Sequence, residues 1–183
     1  MRRAIVVGRA RGAHEEYAAA CAMCTFDDVL VVGAMATMFP HCVDHLVSFH
    51  AELFDLWTEQ RAAAGFGPVG CYWGATFKGR NLGEDTTQCR PLRYAPCLGG
   101  SSGFLAMEGV ALGALGADRV VLAGVPMRME DAHVDSPAPW DEADTYWSTW
   151  EEHLSKLLGR VKSMSGRTRD VLGEPDRSWL DGT

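Results

Sequence analysis

The chain has 183 residues and a mass of 19.9 kDa, enough for one domain with a buried core and too little for two catalytic domains. Lysine and arginine number 17 against 24 aspartates and glutamates, a formal charge of −7. That excludes nonspecific binding of bare nucleic acid, whose affinity comes from cationic side chains releasing counterions. The 47% hydrophobic content with ordinary glycine and proline usage excludes a disordered chain.

Read along the chain, short apolar runs alternate with amphipathic segments, the pattern of βα units around a mostly parallel sheet. Before its first glycine the chain has only four apolar residues in a row, Ala4 to Val7, too few for a signal-peptide core, and no stretch approaches a membrane span. A cytoplasmic protein without a membrane partner is expected, with its six cysteines reduced. The run 4–7 reads as a buried strand ended by Gly8. A helix over 14–24 follows, with Glu15 and Glu16 in its first turn, where acids favour a helix N-terminus. Strands are expected over 29–32, ended by Gly33, and over 43–49, then a helix over 51–64 with Leu53, Phe54, Leu56 and Trp57 on its apolar face.

A strand over 69–73 comes next, and after it the signal stops. Residues 76–98 read as a structureless lid or binding loop, because stretches of that length inside a domain are usually functional. The lid carries Lys78, Arg80, Arg90 and Arg93 against Glu84 and Asp85, a cationic surplus suited to a phosphorylated ligand or to a solvated surface. A helix over 104–115 stopped by Gly116, a strand over 119–124 and a proline-bearing loop lead to a helix over 141–158. The whole of 141–183 reads as a helical segment ending in a basic tail. No repeat or linker divides the chain, so one domain over 1–183 is expected.

Two glycine-containing turns precede helices. In Gly8-Arg9-Ala10-Arg11-Gly12, backbone amides, a helix dipole and two arginines could face an anion; the alternative is an ordinary βα turn. Gly99-Gly100-Ser101-Ser102-Gly103 reads as an oxyanion or phosphate nest, or as a plain capped helix with Ser102 at the N-cap. His133 lies past the carboxyl end of a strand, where a neutral-pH general base would sit in an open α/β sheet; otherwise it is a solvated loop histidine. The acids near it, Glu130, Asp131 and Asp135, read as solubilising loop residues rather than a cation site. Cys21, Cys24, His41 and His45 have nearly the order of a zinc finger, but a strand runs between the pairs, so no metal site is expected. Trp147 and Trp150 fit a helix face packed on the sheet; Trp140, at the loop end, could stack on a base or sugar, and an oligomer contact is a third role for these aromatics.

The run from Gly100 through Gly124, with its Ser102-Gly103 turn, helix and strand ending in glycine, resembles the corresponding segment of the bacterial (Campylobacter-type) sialyltransferases and the related hydroxymethylpterin diphosphokinase-like proteins. Residues 4–8 are similar to the first βα unit of that superfamily, and the layout also resembles proteins encoded in phage and prophage genomes. The resemblance implies a single Rossmann-like three-layer α/β domain that binds a nucleotide or nucleotide sugar, with glycosyltransferase-like transfer as the activity. Ser102 and Gly103 are the positions that would meet the nucleotide, and His133 is the counterpart of the family's base. An ATP- and Mg²⁺-dependent diphosphokinase is one alternative. A non-catalytic phage accessory protein binding a host factor or signalling nucleotide is another. The family's asparagines after the first two strands are replaced by Arg9 and Gly33, and Gly124 is followed by Val125 and Pro126 where an acid is expected. In the full expectation Gly8, Arg9, Arg11, Gly12, Gly100, Ser101, Ser102 and Gly103 hold phosphates, Arg80 and Arg93 neutralise a leaving phosphate, and a second copy of the chain completes so small an enzyme.

Overall fold

Strand β1 (Arg3–Val7) lies between two parallel neighbours, β2 (Asp28–Val32) and β7 (Arg119–Ala123). The computed structural model describes residues 1–83, 86–96, 98–129, 133, 134 and 138–183. From β2 the sheet continues in parallel through β3 (Val43–Val47) to β4 (Val69–Phe77), and beyond β7 lies β8 (Val161–Ser163). The fold is therefore α/β, with an eight-stranded, mostly parallel sheet.

Strand alternation sorts the core. Ala4 and Val6 join Leu30, Val120 and Leu122 in one cluster, while Ile5 and Val7 join Val29, Val31, Val121 and Ala123 in another. Ile5, Val6 and Val7 have no exposed surface, and each such side chain contributes roughly 1.5–3 kcal/mol of transfer free energy. The second cluster is completed by α1 (Ala13–Met23), through Ala13 and Ala20, and by α2 (Phe54–Ala63), through Phe54 and Trp57. The first takes α3 (Ser102–Phe104), which runs directly into a π-helix, Leu105–Ala114, together with Trp147 and Trp150 of α4 (Ala143–Leu157). The π-helical ladder shows at its end, where the Leu115 amide donates to the Val110 carbonyl at 2.9 Å.

Three expectations are corrected. Residues 76–98 are not a structureless lid: β4 extends to Phe77 and turns into the short β5 (Arg80–Asn81), and β6 (Leu92–Pro96) pairs in parallel with β4. Tyr72 and Trp73 pair with β3 and with β6 at once, so β6 occupies the other side of β4, where Pro96 can stand at a sheet edge. The segment 141–183 is not wholly helical, because β8 interrupts it before α5 (Gly166–Leu172) and α6 (Arg177–Asp181). On α2, Leu56 is 47% exposed while Arg61 is buried, its guanidinium donating to the carbonyls of Ala36, Phe39, His41 and Gly67.

The two ends of the described chain meet beside β1. Arg3 donates to the Leu180 carbonyl at 2.9 Å and to Asp181 at 3.2 Å, and a Cβ on Gly182 would lie 3.4 Å from the Met1 sulfur. Among the described residues no helix is long and apolar enough to cross a membrane.

Candidate functional site

The sheet order places β1 between β2, which leads outward through β3 and β4, and β7, which leads the other way to β8. At such a reversal the loops leaving the strands diverge and open a crevice at the carboxyl ends, where open α/β sheets bind ligands. A cavity of ≈380 Å³ lies there. Its floor comes from the residues that end four parallel strands: Gly8 after β1, Gly33 after β2, Ser48 after β3 and Gly124 after β7. Ser101, Ser102 and Gly103 enter from the start of α3, and His133, Trp140, Glu142 and Tyr146 from the β7–α4 side. Val32, Phe49, Leu53 and Trp57 form an apolar part of the remaining wall, to which Arg9 and His50 add polar groups.

Gly8 and Gly124 are glycines for packing. A Cβ on Gly8 would sit 2.2 Å from the Gly124 carbonyl oxygen, and Gly124, at φ +65, would place its own Cβ 2.5 Å from that of Ala13. Two amides of the first glycine turn are spent on the end of β7: Gly8 donates to Ala123 at 2.8 Å and Ala10 to Gly124 at 3.2 Å. Glu16, in the first turn of α1, accepts from the Gly124 amide at 2.7 Å. A carboxylate of the chain itself therefore holds the main-chain amide that follows β7. Of the first turn, Gly8, Arg9 and Ala10 line the cavity.

Arg9 meets His133, its Nη2 lying 2.6 Å from Nδ1. A guanidinium only donates, so Nδ1 accepts and the ring proton sits on Nε2. The backbone reinforces this contact, since Val134 donates to the Arg9 carbonyl at 2.8 Å and Ala10 pairs with His133 in an antiparallel bridge. His133 also starts an aromatic row, with Trp140 at 5.6 Å between ring centroids and Tyr146 a further 5.9 Å on. Burial and the neighbouring Glu142 carboxylate push the Tyr146 phenol up, so it stays protonated and donates to Glu142 at 3.4 Å.

The second glycine turn differs from the first. Ser101, not Ser102, is the N-cap of α3, its hydroxyl accepting from the Phe104 amide at 3.4 Å. The Ser102 hydroxyl instead accepts from the Phe49 amide at 3.2 Å, tying the start of α3 to the end of β3. Gly100, at φ +73, lies where a Cβ would come within 3.3 Å of Thr149 of α4, and it does not line the cavity.

The structure thus brings Gly8, Arg9, Ser101, Ser102, Gly103, His133 and Trp140 to one cavity. It leaves others outside. Arg11 is exposed and Gly12, at φ +86, is the N-cap of α1. Arg80 lies exposed on β5, and Arg93 on β6 stacks on Trp73 at 5.6 Å; neither lines the cavity. Glu130, Asp131 and Asp135 lie outside the described residues. Of the zinc-like pattern, Cys21 is exposed on α1, and His45 is held between Trp73 and Asp28. Among the described residues no group of histidine, cysteine and acidic side chains is arranged to hold a metal. Sequence reasoning missed Glu16, Ser48, Phe49, Trp57, Glu142 and Tyr146. The end of the β3 apolar run pointed to Ser48, since strand ends line such crevices; the others meet the site only through tertiary packing.

No protein-family model, no curated protein and no solved structure matches this chain.

Proposed function

We propose that the chain is a Rossmann-like three-layer domain that binds a nucleotide or nucleotide sugar in the cavity between β1 and β7. The observation that carries this reading is one cavity at the reversal point of a parallel sheet, lined both by aromatic rings and by serine hydroxyls at a helix start. In this reading the phosphoryl group lies at Ser101, Ser102 and Gly103 with Arg9 nearby, and the base or sugar lies against Trp140. A second reading, binding without turnover by an accessory protein, is favoured by the Arg9–His133 contact. The contact engages Nδ1, so the lone pair with which that nitrogen would act as a base is already taken by Arg9.

A thermal-shift screen with nucleoside mono-, di- and triphosphates and sugar nucleotides, with and without Mg²⁺, tests the proposal. Saturation to about 100 times Kd adds about 2.7 kcal/mol, a rise of roughly 5–10 °C for a chain of this size. No stabilisation by any of them sinks it. Product release by the stabilising ligand separates transfer from binding alone, and ATP binding that needs Mg²⁺ points to diphosphate transfer.

A further inference from the structure

Ser48 directly follows β3 and is only 1% exposed, yet it lines the cavity. Its amide is fixed to β4, donating to the Trp73 carbonyl at 3.1 Å, and its Oγ accepts from the His50 amide at 3.0 Å. That local bond turns the chain out of the sheet and leaves the hydroxyl with a proton to give. Among the described residues no acceptor for that proton is found. The same holds for two neighbours on the cavity wall: Ser102 accepts from Phe49 and Ser101 from Phe104, and neither donates to a described group. Phe49 and His50 are adjacent, so the Ser48 and Ser102 oxygens are anchored to successive amides of one turn.

A hydroxyl that accepts from an amide and has no acceptor of its own is polarised as a donor. We propose that Ser48, Ser101 and Ser102 donate together to one acceptor-only oxyanion of the ligand, phosphoryl or carboxylate, and that Ser48 is the residue selecting for it. The inference rests on the binding reading above and deepens it. An amide, amine or hydroxyl ligand group brings donors of its own to these three donors and is disfavoured, since a buried donor without an acceptor costs more than a formed bond returns. Arg9 lines the same cavity.

The experiment compares Ser48→Asn with Ser48→Asp. Either side chain has an oxygen to accept from His50 and keep the turn, but only asparagine retains a donor; Ser48→Ala, which removes the donor without adding charge, must also weaken anion binding, and anion binding unchanged in it overturns the proposal. The probes are inorganic phosphate and acetate, titrated into the full chain while the amide resonances of Phe49, His50 and Phe104 are followed. Wild type and Ser48→Asn are expected to bind one of the two anions with similar Kd, and Ser48→Asp to lose about tenfold or more. Phosphate binding without acetate binding identifies a phosphoryl group, and the reverse a carboxylate. Equal loss in both variants shows a structural serine and overturns the proposal, as does wild type binding neither anion. If a nucleotide stabilises wild type and Ser48→Asp alike, this inference fails while the binding reading stands. If phosphate binding depends on the Ser48 donor and no nucleotide binds, the reverse is true.

Discussion

Arg9 and His133 stand 124 positions apart in sequence and 2.6 Å apart in space, guanidinium Nη2 against imidazole Nδ1. The contact joins the β1–α1 turn to the loop before α4, so the two sides of the cavity are held by a bond whose polarity only the neutral imidazole can satisfy. Protonation of Nδ1 and donation by Arg9 compete for one lone pair. Long-range proton–nitrogen spectra of the unliganded protein are therefore expected to show Nδ1 as the unprotonated nitrogen of His133. In Arg9→Met that preference is expected to relax. A wild-type ring carrying its proton on Nδ1 contradicts the assignment.

Glu16 holds the Gly124 amide at 2.7 Å from within the first turn of α1. Glu16→Ala is expected to destabilise by about 1–2 kcal/mol, since a partly buried amide loses a charged acceptor. The same variant opens the β7 end to an external anion, so phosphate should raise its thermal midpoint more than that of wild type. Matched midpoints with and without phosphate, in both proteins, count against a plugged anion position.

At the opposite end of the sheet, Asp28 accepts two bonds from Arg2, at 2.6 and 2.8 Å, and one from His45 at 3.3 Å. Burial pushes the carboxyl up, but the bonds from Arg2 and His45 outweigh it and hold it below the usual range. A folded pKa below the unfolded value of about 3.9 gives stability that is present above that value and lost as pH falls through the folded pKa. Asp28→Asn is expected to be less stable than wild type near neutrality and to lose less on acidification below about pH 4. Urea midpoints measured across that range check it; parallel curves for the two proteins refute it.

Much of the parallel sheet could be read in advance because its central strands are apolar runs closed by glycine: Ala-Ile-Val-Val before Gly8, Val-Leu-Val-Val before Gly33, Val-Val-Leu-Ala before Gly124. What could not be read depends on partners far along the chain. Strand β6 contains Arg93 and ends in Pro96, so its sequence argues against a strand, and only pairing with β4 makes it one. Strand β8 is three residues, Val-Lys-Ser, defined by its neighbour β7. The site shows the same division. The Ser101–Gly103 turn could be read because glycines and hydroxyls before a helix have a local meaning. That Arg80 and Arg93 would stand away from the cavity lining could not be read, because charge in a loop carries no address. Glu16 was read only as a helix-favouring acid, and its reach to Gly124 spans 108 positions.

Arg61 is the plainest case of a residue type that hides its role. It is 1% exposed and donates to four main-chain carbonyls, at 2.6–2.9 Å, that close the loops around the 33–37 turn and the end of α2. Burial pulls its pKa below the ordinary arginine value. Arg61→Met leaves those carbonyls unpaired and is expected to cost about 3 kcal/mol or more. Arg61→Lys recovers little, because a point ammonium cannot span the positions that a planar fork reaches. Denaturant midpoints decide the matter, and a loss under about 1 kcal/mol in Arg61→Met argues that water satisfies the carbonyls instead.

The contact of Arg3 with Leu180 and Asp181 separates the order of the chain from the order of the fold. With Met1 against Gly182, a short bridge can join the two ends, and the chain can be reopened at the exposed Lys78–Gly79 turn between β4 and β5 without displacing a core side chain. Such a permuted chain begins in the segment that sequence alone left blank. It keeps every strand neighbour of the parent, while the β1 and β7 ends that frame the cavity become interior to the new sequence.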